Sequence, residues 1–169
     1  MRILAISGSL QARSSNLVLL QAAAASAPPG VEVIIFDGLR ALPHFDPDLE
    51  VNAPLVSVQA FRQALDDSDA LLIASPEYGH SLPGALKNGI DWVIGSGELE
   101  RKIVALTAAV SHPERGRRGL KALADTLFAV SATIVGGEPI VRGPALEREA
   151  ADLLRALVTA VEQRTWAEE

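Results

Sequence analysis

Residues 70–92 read ALLIASPEYGHSLPGALKNGIDW, and this stretch joins a predicted buried strand to a predicted helix through a loop between two prolines. Residues 70–74 are continuously apolar, as expected of a parallel strand that is covered on both faces. Pro76 and Pro83 restrain the loop, and residues 83–93 then have the pattern of a helix. A buried strand followed by a helix is typical of an α/β domain.

The same alternation continues along the whole chain. Strands are predicted at residues 3–6, 31–36, 70–74, 103–109 and 132–135, and helices at 16–27, from Pro54 to about 66, at 83–93, at 120–130 and from Pro144 to about 164. We therefore predict a single α/β domain over residues 1–169, a flavodoxin-like three-layer sandwich. Its five-stranded parallel sheet has the order 2-1-3-4-5, with helices on both faces. Residues 37–53 are expected to be an irregular surface excursion.

Composition narrows the classes of function. The chain has 169 residues, no cysteine and a formal net charge of −6. Without cysteine there is no disulfide, thiolate zinc site, iron–sulfur cluster or cysteine nucleophile, and three scattered histidines predict no metal site. The negative charge argues against a nucleic-acid partner. No apolar stretch is long enough to span a bilayer, so we expect a cytoplasmic protein with no membrane partner.

Two loops are expected to meet at one edge of the sheet. Parallel α/β sheets bind ligands outside the carboxyl ends of their strands, at the point where the strand order reverses. In the order 2-1-3-4-5 this point lies between the loops after the first and third strands, at residues 8–15 and 75–82. We therefore predict the binding site there.

The first of these loops has the chemistry of a phosphate site. Gly8 permits a tight turn, Ser9, Ser14 and Ser15 offer hydroxyls, and Arg13 offers a positive charge beside a helix N-terminus. Alternatively, Ser14 or Ser15 serves only to cap the helix. The segment is neither a P-loop nor a G-x-G-x-x-G motif. In the second loop, Tyr78 is placed to pack against a flat ring, or else simply to pack within the protein.

Both segments match one family. Ser-Pro-Glu-Tyr-x-x-Ser-x-Pro-Gly-x-Leu-Lys-Asn-x-Ile-Asp-Trp at residues 75–92 closely resembles the signature of the NADPH-dependent FMN reductases, the flavodoxin-like quinone, azo-dye and chromate reductases. Gly-Ser-Leu-x-x-x-Ser-x-Asn at residues 8–16 is similar to the family's phosphate loop. The resemblance implies FMN as cofactor and NADPH or NADH as electron donor. The acceptor would be a small molecule such as a quinone, free flavin, azo compound or metal oxyanion, and the assembly a homodimer or homotetramer.

The resemblance also implies the site residues. Ser9, Ser14 and Asn16 match positions that hold the FMN phosphate, and Pro76, Glu77, Tyr78 and Ser81 match the loop that holds the isoalloxazine ring and neighbouring ribityl. Lys87, Asn88, Asp91 and Trp92 match helix positions near a dimer contact, which we interpret as structural or interfacial. The full predicted cofactor set is Ser9, Gln11, Arg13, Ser14, Ser15, Asn16, Pro76, Glu77, Tyr78, Gly79, His80, Ser81 and Ser111. No residue is predicted to be catalytic.

The chain departs from the family pattern in three places. Gln11 stands where an arginine is usual. Either Arg13 supplies the missing positive charge, or its loss weakens FMN binding. Gly79 stands where an asparagine is usual. The loop after the fourth strand lacks the usual glycine-rich turn, although Ser111 and His112 are placed to reach the ring. In that loop Arg115, Arg117 and Arg118 form a basic cluster for the 2′-phosphate of NADPH, for an acidic partner surface, or simply for solvent.

Other functions stay open at this point. The chain could be a flavodoxin-like electron carrier or a sensor that binds FMN without efficient turnover. It could also be a family member that has lost the flavin, given Gln11, Gly79 and the altered loop after the fourth strand, which is the third loop at this edge of the sheet. A nucleotide- or sugar-phosphate enzyme that uses the same crevice without a flavin is a further alternative.

Overall fold

The fold alternates parallel strands with helices, as predicted. The computed structural model describes residues 1–52 and 55–168, without the side chains of residues 50–52 and 165–168. The strands are β1 (Arg2–Ser7), β2 (Glu32–Phe36), β3 (Ala70–Ala74), β4 (Ile103–Val110) and β5 (Thr133–Val141). The helices are α1 (Ser15–Ala25), α2 (Pro47–Asn52), α3 (Val56–Asp66), α4 (Gly84–Asp91), α5 (Arg117–Phe128) and α6 (Leu146–Glu168), with a 3₁₀ turn at Gly38–Ala41.

The five strands form one sheet in the order β2-β1-β3-β4-β5, and every adjacent pair is parallel. The predicted fold class, strand order and placement of helices are confirmed. The order reverses between β1 and β3, where Ile3 pairs with Ala70 on one side and with Val33 on the other. The carboxyl ends of β1 and β3 therefore lie at the same edge of the sheet.

Two apolar cores cover the sheet, because side chains on a strand alternate between its faces. Ile3 and Ala5 of β1 join a core with α1 and α6, whereas Leu4 and Ile6 join a core with α3, α4 and α5. All five residues of β3 are buried, which confirms that residues 70–74 form a strand covered on both faces. In the described part of the chain no helix is long and apolar enough to cross a membrane.

The predicted irregular surface excursion, residues 37–53, is more regular than expected, and its residue 53 lies outside the described residues. It contains the 3₁₀ turn and α2, and Asp46 initiates α2 because its Oδ1 accepts a hydrogen bond of 2.9 Å from the backbone N–H of Asp48. Pro47 is the first residue of α2, a position that proline fits because its missing N–H has no intrahelical partner there. Pro54, predicted to begin the next helix, lies outside the described residues, and α3 begins at Val56.

Strand β5 and helix α5 are longer than predicted. The prediction ended the strand at residue 135, but β5 continues to Val141 through a bulge. Gly136 (φ 73°) and Gly137 (φ 103°) shift the pairing from Leu106↔Gly136 to Ala108↔Pro139. Helix α5 was predicted from residue 120 but begins at Arg117.

Candidate cofactor site

The loop after β1 leaves the sheet directly against the loop after β3. The Gly8 N–H donates a 2.9 Å hydrogen bond to the carbonyl of Ala74, which extends the pairing of the two strands by one residue. A Cβ on Gly8 would lie 2.6 Å from Ser75 Oγ and 3.2 Å from Leu86 Cδ2. Glycine at position 8 therefore allows the two predicted ligand loops to approach each other.

Side-chain hydrogen bonds shape the first loop. Ser9 Oγ accepts from the N–H of Gln11 at 3.3 Å, and Ser14 Oγ caps α1 by accepting from the N–H of Asn16 at 3.2 Å. Asn16 is buried, and its Oδ1 accepts a 2.8 Å hydrogen bond from the N–H of Ala109 in β4. Asn16 thus connects the start of α1 to β4, which lies two strands away from β1 in the sheet.

The second loop is a tight hairpin around Gly79 and His80. Tyr78 and Ser81 exchange two backbone hydrogen bonds, of 2.9 and 3.0 Å. Both central residues have positive φ, 58° at Gly79 and 64° at His80, the combination that defines a type I′ turn. The hairpin projects the Tyr78 side chain outward, and 56% of it is exposed.

Glu77 links this hairpin to helix α5. Its Oε2 accepts hydrogen bonds of 3.0 Å from the N–H groups of both Arg118 and Gly119, which lie in the first turn of α5. A carboxylate at this position accepts hydrogen bonds from amides that have no partner within the helix, and its negative charge interacts favourably with the positive end of the helix dipole. A Cβ on Gly119 would lie 2.9 Å from Glu77 Cα, so glycine is needed for this close contact. This cap explains why α5 begins earlier than the sequence predicts.

The second and third loops line a cleft with a volume of about 540 Å³ at this edge of the sheet, here named the larger cleft. A cleft of this size is typical of small-molecule sites. Its polar lining comprises Glu77, His80, Ser111, Glu114, Arg115, Arg118 and Arg142. Arg118 Nη1 lies 2.8 Å from His80 Nδ1, and Arg142 Nη1 lies 3.4 Å from the hydroxyl of Ser15 at the start of α1.

The smaller cleft, of about 240 Å³, lies between the first loop and the end of β2. Ser9 and Gln11 line it together with apolar side chains, among them Leu10, Ile35 and Phe36. Arg40 closes one side by donating a hydrogen bond to the backbone carbonyl of Leu10. Gln11 therefore faces a partly apolar cleft, while the exposed Arg13 lies further along the same loop.

This arrangement matches known proteins in sequence and in fold. The family model described as NADPH-dependent FMN reductase matches residues 1–144. The chain belongs to the NADPH-dependent FMN reductase family. The family predicted from residues 8–16 and 75–92 is confirmed.

Two curated relatives and one solved structure illustrate the family match. An NAD(P)H-dependent FMN reductase of Pseudomonas aeruginosa is 36% identical over 118 residues, which cover 70% of this chain and 62% of that protein. An NADPH:quinone oxidoreductase of Arabidopsis thaliana is 41% identical over 95 residues, covering 54% of this chain and 48% of that protein. The chain thus spans about half to three fifths of the length of these relatives.

The solved structure is FerB, a flavoenzyme NAD(P)H:acceptor oxidoreductase of Paracoccus denitrificans. It superposes with a TM-score of 0.83 at 24% identity, covering 96% of this chain and 97% of FerB. At this identity the superposition supports the flavodoxin-like fold.

In this FMN reductase family member, the helix behind the second loop has a structural role. Trp92 is 1% exposed, and its Nε1–H donates a 2.8 Å hydrogen bond to the carbonyl of Pro43. Asn88 Nδ2 donates to the same carbonyl at 2.8 Å, and its Oδ1 accepts from the N–H of Phe45 at 2.7 Å. Lys87 and Asp91 form an ion pair within the helix. Trp92 therefore lies in the core and packs edge-to-face on Phe45.

Twelve of the thirteen predicted residues fall into four groups at this edge of the sheet, and Arg13 is exposed on the first loop. The larger cleft is lined by Pro76, Glu77, His80 and Ser111, and the smaller cleft by Ser9 and Gln11. Ser14, Ser15 and Asn16 form the start of α1, and Tyr78, Gly79 and Ser81 form the hairpin. Their individual roles towards a cofactor remain predictions.

Sequence reasoning missed two arginines of the site. Arg142 immediately follows β5, and the predicted end of that strand was too early to bring this residue to the ligand edge. Arg40 lies in the stretch predicted to be irregular, so nothing pointed to its contact with Leu10. Within the predicted basic cluster, Arg117 is the member that faces away, because it pairs with Glu138 at 2.6 Å.

Proposed function

We propose that this protein is an FMN-dependent oxidoreductase that passes a hydride from NAD(P)H, through FMN, to a small acceptor such as a quinone. The observation that carries the proposal is the meeting of the two loops where the strand order reverses. The phosphate-type loop after β1 and the hairpin after β3 both open on that edge, as the two ends of an elongated cofactor require. The family and the named activities of the relatives support the same function.

The first loop suits the phosphate of FMN. Helical pairing begins at Val18, whose N–H bonds to the carbonyl of Ser14, so the amides of Ser15 and Leu17 precede the first intrahelical bond. The hydroxyl of Ser14 accepts from one amide and can still donate its hydrogen to a phosphate oxygen. Arg13, exposed beside this turn, supplies the charge that Gln11 does not.

The second and third loops suit a flat, polar-edged ring. When bound, FMN supplies the chemistry of accepting a hydride and giving up electrons. The chain would hold the ring against the hairpin, whose shape is set by the type I′ turn and by the Glu77 contacts to α5. Exposed Tyr78 would cover part of the ring, and Ser111 would face it from the third loop.

Such an oxidoreductase needs orientation more than acid–base catalysis. The protein would place the donor and then the acceptor against the same ring face in turn, and an open cleft admits acceptors of different shape. Quinones, free flavin, azo compounds and metal oxyanions are the acceptor classes in the proposal.

We also propose how the protein is organised. Residues 1–169 form a single domain, the protein assembles as a homodimer or homotetramer, and it is located in the cytoplasm. Exposed apolar side chains support self-association, since Ile94 is 53% exposed and Phe128 79% exposed. Multi-angle light scattering coupled to size-exclusion chromatography would measure the molar mass of the assembly and so the number of chains in it.

The decisive experiment is titration of the purified protein with FMN, followed by anaerobic addition of NADPH or NADH and then a quinone. The proposal predicts one FMN per chain, loss of flavin absorbance with either donor, and its return with the quinone. A double variant, Ser9→Ala with Arg13→Gln, should weaken FMN binding at least about 10-fold, because it removes a hydroxyl and a charge near the phosphate. Arg148→Gln, at an exposed position on α6, is the matched control.

Each alternative has its own outcome. Stoichiometric FMN that NAD(P)H reduces only slowly would indicate an electron carrier or sensor. A protein that takes up no FMN at saturating concentration would contradict the proposed function and leave the crevice for another anion.

A further inference from the structure

Three arginines line the larger cleft without a carboxylate partner among the described residues. They are Arg115, Arg118 and Arg142. Arg118 contacts the ring of His80, and Arg142 contacts a serine hydroxyl. Arg117, the fourth arginine of this region, is neutralised by Glu138 at 2.6 Å. In a chain of net charge −6, this cleft concentrates positive charge that the protein itself does not neutralise.

The two carboxylates of the cleft leave that charge largely available. Oε2 of Glu77 is occupied by two backbone amides of α5. Glu114 is exposed and lies 4.0 Å from Arg117, the arginine that already has a partner. The third loop itself is held in place by its backbone, since the N–H of Arg115 donates to the carbonyl of His112 at 3.0 Å. The Arg115 side chain is thus presented on a fixed turn.

Arg118 is also held in place. His80 has positive φ and sits at the tip of the hairpin, where its Nδ1 accepts from Arg118 Nη1. This contact joins the hairpin to α5 at the cleft that both residues line. Two arginines, Arg115 and Arg118, therefore flank one opening from two adjacent turns of chain.

This charge suits an anion other than the phosphate of FMN. The FMN phosphate is assigned to the first loop in the proposed function, on which this inference rests. Quinones carry no phosphate, whereas the nicotinamide dinucleotides are anionic. NADPH differs from NADH by a single phosphate monoester, which carries between one and two negative charges at neutral pH. Arginine, with a planar fork of donors, is well suited to bind that group.

We propose that Arg115, assisted by Arg118, binds the 2′-phosphate of NADPH and makes this enzyme prefer NADPH to NADH. Arg142 lies beyond the pair, at Ser15 of the phosphate loop, and is assigned no part in this selectivity. Arg115 is the specificity-determining residue because Arg118 also supports the hairpin through His80. The assignment names the donor that the sequence alone leaves undecided.

The test compares Arg115→Gln with Arg117→Gln, two variants that each remove one positive charge, from the third loop and from the first residue of α5 respectively. Calorimetry on the FMN-supplemented protein measures binding of adenosine 2′,5′-bisphosphate and of adenosine 5′-monophosphate. The unmodified protein should bind the bisphosphate at least about 10-fold more tightly. Arg115→Gln should remove most of that difference, because a charge-assisted contact contributes about this factor, and Arg117→Gln should change it less than about 2-fold.

Steady-state kinetics give the second readout. Arg115→Gln should raise KM for NADPH and leave kcat and all constants for NADH nearly unchanged, so that the ratio of kcat/KM values falls about 10-fold or more. Equal effects of both substitutions, or no preference for the bisphosphate in the unmodified protein, would overturn the inference. If the protein oxidises both donors with an unchanged ratio, only the inference fails. If it binds no FMN, the proposed function fails, while the calorimetry still decides whether Arg115 recognises the 2′-phosphate.

Discussion

Glu77 connects the hairpin after β3 to α5 through two hydrogen bonds from one carboxylate oxygen. Glu77→Ala would leave two amides of the first turn unpaired and remove a negative charge from a helix N-terminus. We expect a loss of about 1–2 kcal/mol in the free energy of unfolding. Glu77→Gln keeps an acceptor and should recover about half of the loss. Urea unfolding of the three proteins checks this, and equal stability of Glu77→Ala and the parent would contradict it.

Gly79 adopts φ 58° and has open space around the position where a Cβ would be. Asparagine tolerates this left-handed conformation better than other residues with a side chain. Gly79→Asn should therefore change stability by less than about 1 kcal/mol and strengthen FMN binding by restoring a side-chain contact near the ring. Gly79→Val should cost about 1–2 kcal/mol. Thermal unfolding and FMN titration measure both, and weaker FMN binding by Gly79→Asn would refute the idea.

At the residue scale, the types of residue in the loops were enough to predict the chemistry of the loops. They were not enough to predict which group each side chain contacts. Asn16 is an example, because the resemblance assigns it to the phosphate, whereas its side-chain oxygen bonds to the backbone of Ala109. The two residues are 93 positions apart, and no local pattern encodes such a contact. The hairpin has a local signal, since Gly79 followed by a polar residue suits a tight turn, although only a loop was predicted there.

Helix α3 ends against a partly buried lysine, Lys102, of the segment before β4. Lys102 Nζ donates to the carbonyls of Leu65 at 2.8 Å and Ser68 at 2.7 Å, the first of which lies in the last turn of α3. Burial lowers the pKa of Lys102, and the nearby positive charge of Arg164 acts in the same direction, while Asp66 and Asp69 oppose it. The folded chain thus holds this proton less tightly than the unfolded chain, whose lysine pKa is near 10.5.

This difference makes stability depend on pH at alkaline values. Between the folded pKa and about 10.5, unfolding takes up a proton at Lys102, so raising the pH through this window increases the free energy of unfolding. Below the window the contribution is constant. Lys102→Met should remove this rise, while Lys121→Met, on an exposed lysine paired with Asp125, should retain it. Denaturation midpoints from pH 7 to 10.5 provide the comparison, and parallel curves for parent and Lys102→Met would contradict it.

At the element scale, the sequence predicted elements with strong apolar patterns and misjudged those set by tertiary contacts. The five residues of β3 are apolar throughout, and their boundaries are correct. Strand β5 is longer than predicted because Gly136 and Gly137 form a bulge, through which the strand continues to Val141. Helix α5 begins early because Glu77, 40 residues before its first residue, accepts hydrogen bonds from its amides.

At the scale of the whole molecule, the order of elements was enough to predict the topology. Crossovers between parallel strands of one sheet are right-handed in nearly all proteins, and five strands with a reversal after the first give the order 2-1-3-4-5. That order brings loops 8–15 and 75–82 to one edge. The distribution of charge over that edge was less predictable, because no local pattern separates Arg115 from Arg117, whose partner Glu138 is 21 positions away.

FMN should stabilise the fold as a whole, since its predicted contacts join the loops after β1, β3 and β4, which are the central strands of the sheet. Ligand at 100 times its Kd adds about 2.7 kcal/mol to the free energy of unfolding. For a domain of this size that corresponds to a rise in Tm of roughly 5–11 °C. Riboflavin has the same ring without the phosphate, so at equal concentration it should raise Tm by less than half as much if the first loop holds that phosphate. Differential scanning calorimetry with each ligand decides this, and equal shifts would remove the phosphate role of the first loop while leaving the ring site in place.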